Sequence, residues 1–512
     1  MDKLIIANIA SKEDTGKFSL QFPEQMYKPF GKTGLTVSAC GFGCYRVDYR
    51  VNEHFNALEY ALLNGINIID TSANYSDGGS EILIGNVLWK LIEEIKLLRE
   101  EVVVVTKGGY IQGKNYEYAQ KKAENGEPYK EVVDYSEGLW HCIHPDFLSD
   151  QITQSLDRLK TKAVDVYLLH NPEYFLDSKM AQDLSLDEMR FEYYRRIKKA
   201  FEFLEGEVEK GTIGCYGISS NSFIHEMDSP TFTSLEMCLQ AAREVKEDNH
   251  FYVIQLPLNL YENGAVTIKN QKHETKTTLE IAKENKIAVM VNRPLNAIQG
   301  KSLHRLIDFE IYPEFLNVDE AQIIAEIELL DSLEESFLKD YLELLNLSDQ
   351  NREAVNYFLK AGQLLKENWK NFGSIESFND VKKQFLIPRV NYAFSAMIKS
   401  PNVTSEMKDR LDVIAKQINK LMRIMETIYG IIANSRSKEI SNKLDKLVTA
   451  EQSMQFKELS LSQKAILLIN SLEGISTTLV GMRLEKYVAD VVKSLKMKKI
   501  ENAKEVFEKF EV

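Results

Sequence analysis

The sequence predicts an α/β chain, a (β/α)8 TIM barrel with an all-helical insertion between strand 7 and helix 7. Three observations carry this. Short, continuous apolar runs rich in β-branched residues alternate with amphipathic helical segments, the pattern of a parallel sheet covered by helices. Eight such runs suggest closure into a barrel rather than an open sheet. The alternation then breaks between about residues 300 and 458, far longer than an ordinary βα loop of ~2–6 residues.

The strands read in order as 36–42 (TVSACGF), 66–71 (INIIDT), 102–107 (VVVVTK), 164–170 (VDVYLLH), 212–219 (TIGCYGIS), 250–256 (HFYVIQL), 287–293 (IAVMVNR) and 475–481 (ISTTLVG). Between them, Ile84, Val87, Leu88, Leu91 and Ile95 share one face of a helix over 80–95. Phe147, Ile152, Leu156 and Leu159 do the same over 145–159, where Pro145 suits a first turn. In the late segment, Met407, Leu411, Ile414, Ile418, Leu421, Met425, Ile428 and Ile432 alternate spacings of four and three. Such a seam needs a partner helix, most simply 318–346 or 350–369 of the same segment, which favours an intramolecular bundle over a dimerising coiled coil. The expected divisions are an N-terminal extension (1–25), the first part of the barrel (26–303), the helical insertion (304–456), the barrel's completion (457–497) and a helical tail (498–512).

Composition narrows the class. The 512 residues carry 63 basic and 76 acidic side chains, a formal charge of −13 with no basic tract, which argues against a general nucleic-acid surface. Five cysteines with no C-x-x-C pair suit reduced thiols in a cytosol. Residues 1–14 (MDKLIIANIASKED) reach charge too soon for a secretory signal, and no apolar run approaches the ~20 residues of a membrane span. The expectation is a soluble, cytoplasmic protein.

Active sites of parallel barrels gather at the C-terminal ends of the strands. Asp70 ends the second run, Lys107 the third and His170 the fourth, and Tyr75 follows Asp70 by five residues. Apolar strands that end abruptly in ionisable groups are costly to bury unless the charges pair, and Asp70 and Lys107 sit on adjacent strands. A free tyrosine has a pKa near ~10. A lysine ammonium beside it stabilises phenolate, a carboxylate would hold that lysine, and a histidine can orient a carbonyl oxygen. Such a set can move a proton at an oxygen while hydride moves at the adjoining carbon.

These residues and their surroundings resemble the aldo-keto reductase family. The resemblance runs through KPFGKTGLTVSACGFG (28–43), INIIDTSANYSDGGSEILIG (66–85), VVVVTKGG (102–109), PDFLSDQITQSLDRLKTKAVDVYLLHNPE (145–173) and LEGEVEKGTIGCYGISSNSF (204–223). It continues with VIQLPLNL (253–260), VNRPLNA (291–297), LSLSQKAILLIN (459–470) and ISTTLVGMR (475–483). It implies Tyr75 as general acid/base, Asp70 and Lys107 as its tuning pair and His170 as the orienting group. It also implies NAD(P)H, with Ser219, Asn221 and Gln255 on the nicotinamide carboxamide. Gly43, Arg293, Gly481, Arg483 and Lys486 would lie along the pyrophosphate and ribose. Arg483 and Lys486 suit a 2′-phosphate, so NADP(H) is favoured over NAD(H). The chain departs from the family at Asn292, where many members carry an aromatic residue that stacks on the nicotinamide. It departs again at Ala489 and Asp490, which align with an acidic residue and an asparagine near the adenine.

Other features invite other readings. His141 and His144 flank Cys142 in an H-x-x-H pattern, but nothing obvious completes a metal set, and no metal is expected. Cys40 and Cys44 read as packing residues. Placed in a βα loop, the insertion is expected to form a cap at the catalytic mouth or a docking surface for a protein partner. The function expected is reduction of an aldehyde or ketone, or oxidation of the matching alcohol or sugar. The alternative is a nucleotide-binding regulatory or interaction protein that docks partners through the insertion.

Overall fold

A computed structural model describes residues 6–299 and 302–511. Eight parallel strands close into a barrel. They are β1 (Cys40–Gly43), β2 (Ile68–Asp70), β3 (Val103–Gly108), β4 (Val164–His170), β5 (Ile213–Ser219), β6 (Phe251–Pro257), β7 (Ala288–Asn292) and β8 (Ile475–Val480). Their inward side chains, among them Ile68, Val103, Val105, Val166, Leu168, Val253, Met290 and Leu479, form one buried core. A barrel interior is packed rather than hollow.

The first run departs from the reading. It divides at Ala39: Thr36–Ser38 pairs antiparallel with Tyr27–Pro29, and only Cys40–Gly43 enters the barrel. Phe30, at the turn of that hairpin, is fully buried in the barrel core with Val37. The hairpin therefore seals the N-terminal end of the strands.

Register sets the mouth. His170, Ser219 and Gln255 pair in sequence across β4, β5 and β6, and Gly43 pairs with Asp70 across β1 and β2. Side chains at the C-terminal ends of five strands thus share one rim. The helix α1 spans Gly79–Glu93 and buries Ile84, Val87, Leu88 and Leu91 of the stripe read from sequence, while Ile95 lies past its end and is exposed; α2 spans Pro145–Leu159 and buries Phe147, Ile152 and Leu159, with Leu156 half-buried.

After β7 comes an antiparallel hairpin, Asn296–Gln299 with Ser302–Arg305, and then helices. Residues 307–442 form a compact unit of their own; the remainder of the chain forms the other. Within the helical unit, α3 (Glu320–Tyr341) supplies Ile323, Ile327, Leu330 and Phe337 to a core shared with Met407, Leu411, Ile414, Ile418, Leu421 and Met425 of α4 (Ser405–Leu447). The seam's partner is thus intramolecular. It fades at Ile428, which is only partly buried, and Ile432 is exposed. The segment 350–369 is not one helix. It breaks between Asp349–Phe358 and Ala361–Asn368, because the Glu334 carboxylate of α3 accepts the backbone N–H groups of Ala361 and Gly362 and starts a new helix there. Gly362 is needed for that approach: a Cβ there would lie 2.5 Å from Asp331 N.

Among the described residues, no helix is long and apolar enough to cross a membrane.

Candidate active site

The structure brings Asp70, Tyr75, Lys107 and His170 together at the mouth. Lys107 is wholly buried at the end of β3. Its Nζ donates to Asp70 Oδ2 at 2.8 Å, to the Thr71 carbonyl at 2.7 Å and to Tyr75 Oη at 3.3 Å. All three ammonium hydrogens are therefore directed. Asp70 is held from its other side as well, since Gln255 Nε2 donates to Oδ1 at 2.8 Å. Tyr75 sits in the turn after β2, with the Lys107 ammonium 4.8 Å from its ring centroid and Tyr45 edge-on at 5.3 Å. His170 lies edge-on to Tyr75 at 5.9 Å, and its Nδ1 bonds Ser72 Oγ at 3.0 Å.

Burial decides the protonation states. It pushes Tyr75 well above its ordinary value, with the nearby Asp70 charge adding to the effect. It holds His170 well below the usual histidine range, helped by Lys107. Desolvation also pushes Asp70 up and Lys107 down, and each opposes that push on the other. At neutral pH the site accordingly presents a protonated phenol and a neutral imidazole.

Around this set lies a polar rim. Ser219 Oγ donates to Gln255 Oε1 at 3.0 Å, and Asn292 Nδ2 reaches the same oxygen at 3.5 Å. The Asn221 N–H donates to Glu173 Oε1 at 2.8 Å. Glu173 is buried, and desolvation pushes it up to about 7. Four buried side-chain atoms near the ends of β4, β7 and the hairpin after β7 have no hydrogen-bond partner among the described residues: Glu173 Oε2, Asn292 Oδ1, Arg293 Nε and Arg305 Nε. Buried polar atoms are rarely left unmatched, and these are donors and acceptors that a polar ligand would satisfy.

The residues read as pyrophosphate and ribose contacts are placed unevenly. Gly43 ends β1, where a Cβ would stand 3.3 Å from the Val480 carbonyl. Gly481 is exposed just past β8, and Arg483 and Lys486 follow it. Arg293 lies just past β7 with φ 52° and is engaged by Glu262 at 2.5 Å, an ion pair that a ligand would have to share. Lys486 stands 5.7 Å from the Tyr487 ring centroid. Burial, together with the neighbouring Arg46 and Arg305, lowers the pKa of Arg483. Those three guanidiniums converge from the loops after β1, β7 and β8, and none of them makes an ion pair with a described carboxylate.

Sequence reasoning missed several of these groups. Ser72 sits inside the quoted DTSANY loop and was within reach. Tyr45 and Arg46 share the loop after β1, while Tyr110, Glu173 and Arg305 come from the segments after β3, β4 and β7, and only the closed barrel brings them together. Tyr110 packs edge-on against His170 at 4.7 Å. The H-x-x-H pair is absorbed structurally: His141 Nε2 bonds the His170 carbonyl at 2.7 Å, and His144 Nδ1 accepts from Asp146 N to cap α2. Among the described residues, no group of three or more His, Cys, Asp or Glu side chains is placed to hold a metal ion.

A parallel barrel with this cluster at its C-terminal mouth defines a class of site, and the comparisons with known proteins give it a family. The model of the Aldo/keto reductase family matches residues 41–305, just over half of the chain. The protein belongs to that family. It is 29% identical over 150 residues to the NADH-specific methylglyoxal reductase of Escherichia coli (strain K12), covering 28% of this chain and 40% of that one. It is 26% identical over 193 residues to an uncharacterised oxidoreductase of Bacillus subtilis (strain 168), covering 38% and 48%. The chain thus spans less than half the length of these curated relatives. Among solved structures, the holo form of an aldo-keto reductase from Bacillus halodurans is 16% identical with a TM-score of 0.35, covering 76% of this chain and 96% of that one. An aldo/keto reductase from Klebsiella pneumoniae in complex with NADP and acetate is 20% identical with a TM-score of 0.33, covering 53% and 69%.

Proposed function

We propose that this protein is an NAD(P)H-dependent oxidoreductase that reduces an aldehyde or ketone, or oxidises the matching alcohol or sugar, with Tyr75 as general acid/base. The observation that carries the reading is the disposition of the Lys107 ammonium, whose third hydrogen points at Tyr75 Oη. The phenol oxygen accepts there, so its own hydrogen is free to be given to a substrate.

A bound nicotinamide supplies or accepts the hydride. The protein's part is the proton. As negative charge builds on the carbonyl oxygen, Tyr75 donates its phenolic hydrogen, and the Lys107 ammonium stabilises the phenolate left behind. Asp70 keeps that ammonium charged and in place. Neutral His170, fixed at Nδ1 by Ser72 Oγ, is the group that would orient the same carbonyl oxygen. In the reverse direction the phenolate takes the alcohol proton.

Ser219, Asn221 and Gln255 would hold the carboxamide, and the unmatched Asn292 Oδ1 beside Gln255 offers a further acceptor. Gly43, Arg293, Gly481, Arg483 and Lys486 would line the pyrophosphate and ribose. The convergence of Arg46, Arg305 and Arg483 supports NADP(H) over NAD(H), because three unneutralised guanidiniums suit a dianionic phosphate.

The test is nucleotide titration followed by fluorescence, for wild type and Tyr75→Phe, and then assay against aldehydes and sugars. Tyr75→Phe should bind nucleotide as wild type does while turnover falls roughly 10²–10⁴-fold. Failure of wild type to bind either nucleotide would overturn the reading.

A further inference from the structure

The long loop after β3 builds a second feature beside the mouth. It folds into a three-stranded antiparallel sheet of Tyr110–Ile111, Val133–Ser136 and Leu139–His141, with a helix over Lys114–Glu124. With Lys179 and Met180 from beyond β4, this sheet borders an open cavity of about 540 Å³. That volume is within the range of small-ligand sites.

Its lining is selective. Tyr116, Tyr135 and Trp140 supply aromatic surface, with Tyr116 and Trp140 packed at 4.6 Å. Asp134, Glu137 and Lys179 supply charge of both signs, and none of the three makes an ion pair with a described residue. An anion would meet two carboxylates and a cation would meet the ammonium. A neutral polyhydroxylated ligand escapes both penalties: its hydroxyls donate to carboxylates and accept from an ammonium, while ring C–H groups rest on the negative faces of aromatic rings.

The cavity is joined to the mouth by ring contacts. Tyr135 packs on Tyr174 at 4.6 Å, Tyr174 on Tyr110 at 5.1 Å, and Tyr110 on His170 at 4.7 Å. We propose that this cavity is a carbohydrate subsite that holds the distal sugar units of a glycosidic substrate whose carbonyl or alcohol end sits against Tyr75 and His170. The proposal rests on the oxidoreductase reading for its purpose, though binding to the cavity does not require turnover.

Methyl glucoside, methyl maltoside and methyl cellobioside have no free carbonyl and therefore test binding alone. They would be titrated into the full chain, followed by tryptophan fluorescence and ligand-observed saturation-transfer NMR, with choline as a rival probe. At least one disaccharide glycoside should bind, and Trp140→Ala and the surface substitution Glu137→Gln should each weaken it roughly tenfold. In turnover, Trp140→Ala should raise KM for a reducing disaccharide about tenfold and leave that for glyceraldehyde unchanged. Should Trp140→Ala not fold, Glu137→Gln and Trp140→Phe carry the same comparison. Absence of glycoside binding, binding indifferent to these substitutions, or preference for choline would overturn the subsite. Glyceraldehyde turnover without glycoside binding sinks the subsite alone, whereas glycoside binding without turnover of any carbonyl sinks the hydride reading.

Discussion

Gln255 Nε2 donates to Asp70 Oδ1 at 2.8 Å, so the carboxylate that neutralises Lys107 is held from its far side by the sixth strand. The same glutamine accepts from Ser219, which the family resemblance places on the nicotinamide. One side chain thus links the proton-transfer set to the expected cofactor rim. A hydrogen bond to a charged acceptor is worth roughly 1.5–3 kcal/mol. Gln255→Leu should remove that support and drive the Asp70 carboxyl, already pushed up by burial, still higher. A higher carboxyl pKa means that protonation overtakes the site sooner as pH falls. The acid limb of the kcat/KM profile should therefore move toward neutral pH, and an unmoved limb would contradict this coupling.

The buried Asp70–Lys107 pair makes a second, separable claim. Removing one member strands the other charge in the core, at a cost of about 3–5 kcal/mol. Lys107→Met should lower stability by that order and lose turnover. The double substitution Asp70→Leu with Lys107→Met should regain most of the stability, because no charge is left unpaired, yet recover no turnover. Denaturant titration and assay of the three variants check this. Recovered turnover in the double variant would remove the pair from the mechanism.

Much of the fold was legible because a buried parallel strand ends sharply. Apart from Asp165, which pairs with Arg99 at the far end of its strand, and Thr106, VVVVTK and VDVYLLH are apolar until the residue that reaches the mouth, and that change marks both the strand end and the candidate group. What escaped depends on partners distant in sequence. TVSACGF looks continuous, yet its first half pairs with Tyr27–Pro29 and its second with β2 and β8. Residues 350–369 have helical periodicity throughout, and only the Glu334 carboxylate, reaching from α3, shows where the helix restarts. The ring path from His170 to Tyr135 draws on the loops after β3 and β4, neither of which carries a motif for it.

The three converging arginines bear on nucleotide choice. If Arg305 and Arg483 meet the 2′-phosphate, removing either loses a charge-assisted contact worth roughly 1.5–3 kcal/mol, about 10- to 100-fold in Kd. Arg483→Ala and Arg305→Ala should weaken NADPH by that factor and leave NADH nearly unchanged. The difference between the two nucleotides should shrink as salt rises, since partly exposed charges are screened. Equal weakening of both would move these arginines to the pyrophosphate and remove the basis for preferring NADP(H).

The helical unit should carry its own pH dependence through Glu334. Its side chain is 1% exposed, its oxygens accept from Gly362 N at 2.8 Å and Ala361 N at 3.1 Å, and burial pushes it from 4.5 up to about 7. The folded state therefore binds the proton more tightly than the unfolded chain does. Between about pH 4.5 and 7 the folded form holds more protons, so unfolding free energy falls as pH rises through that window and levels off above it. Glu334→Gln imitates the protonated acid and should flatten the slope. Trp369 lies in this unit and Trp89 and Trp140 in the other, so Trp89→Phe with Trp140→Phe leaves a single reporter for urea titrations across the window. A slope that survives Glu334→Gln would assign the pH dependence to another group.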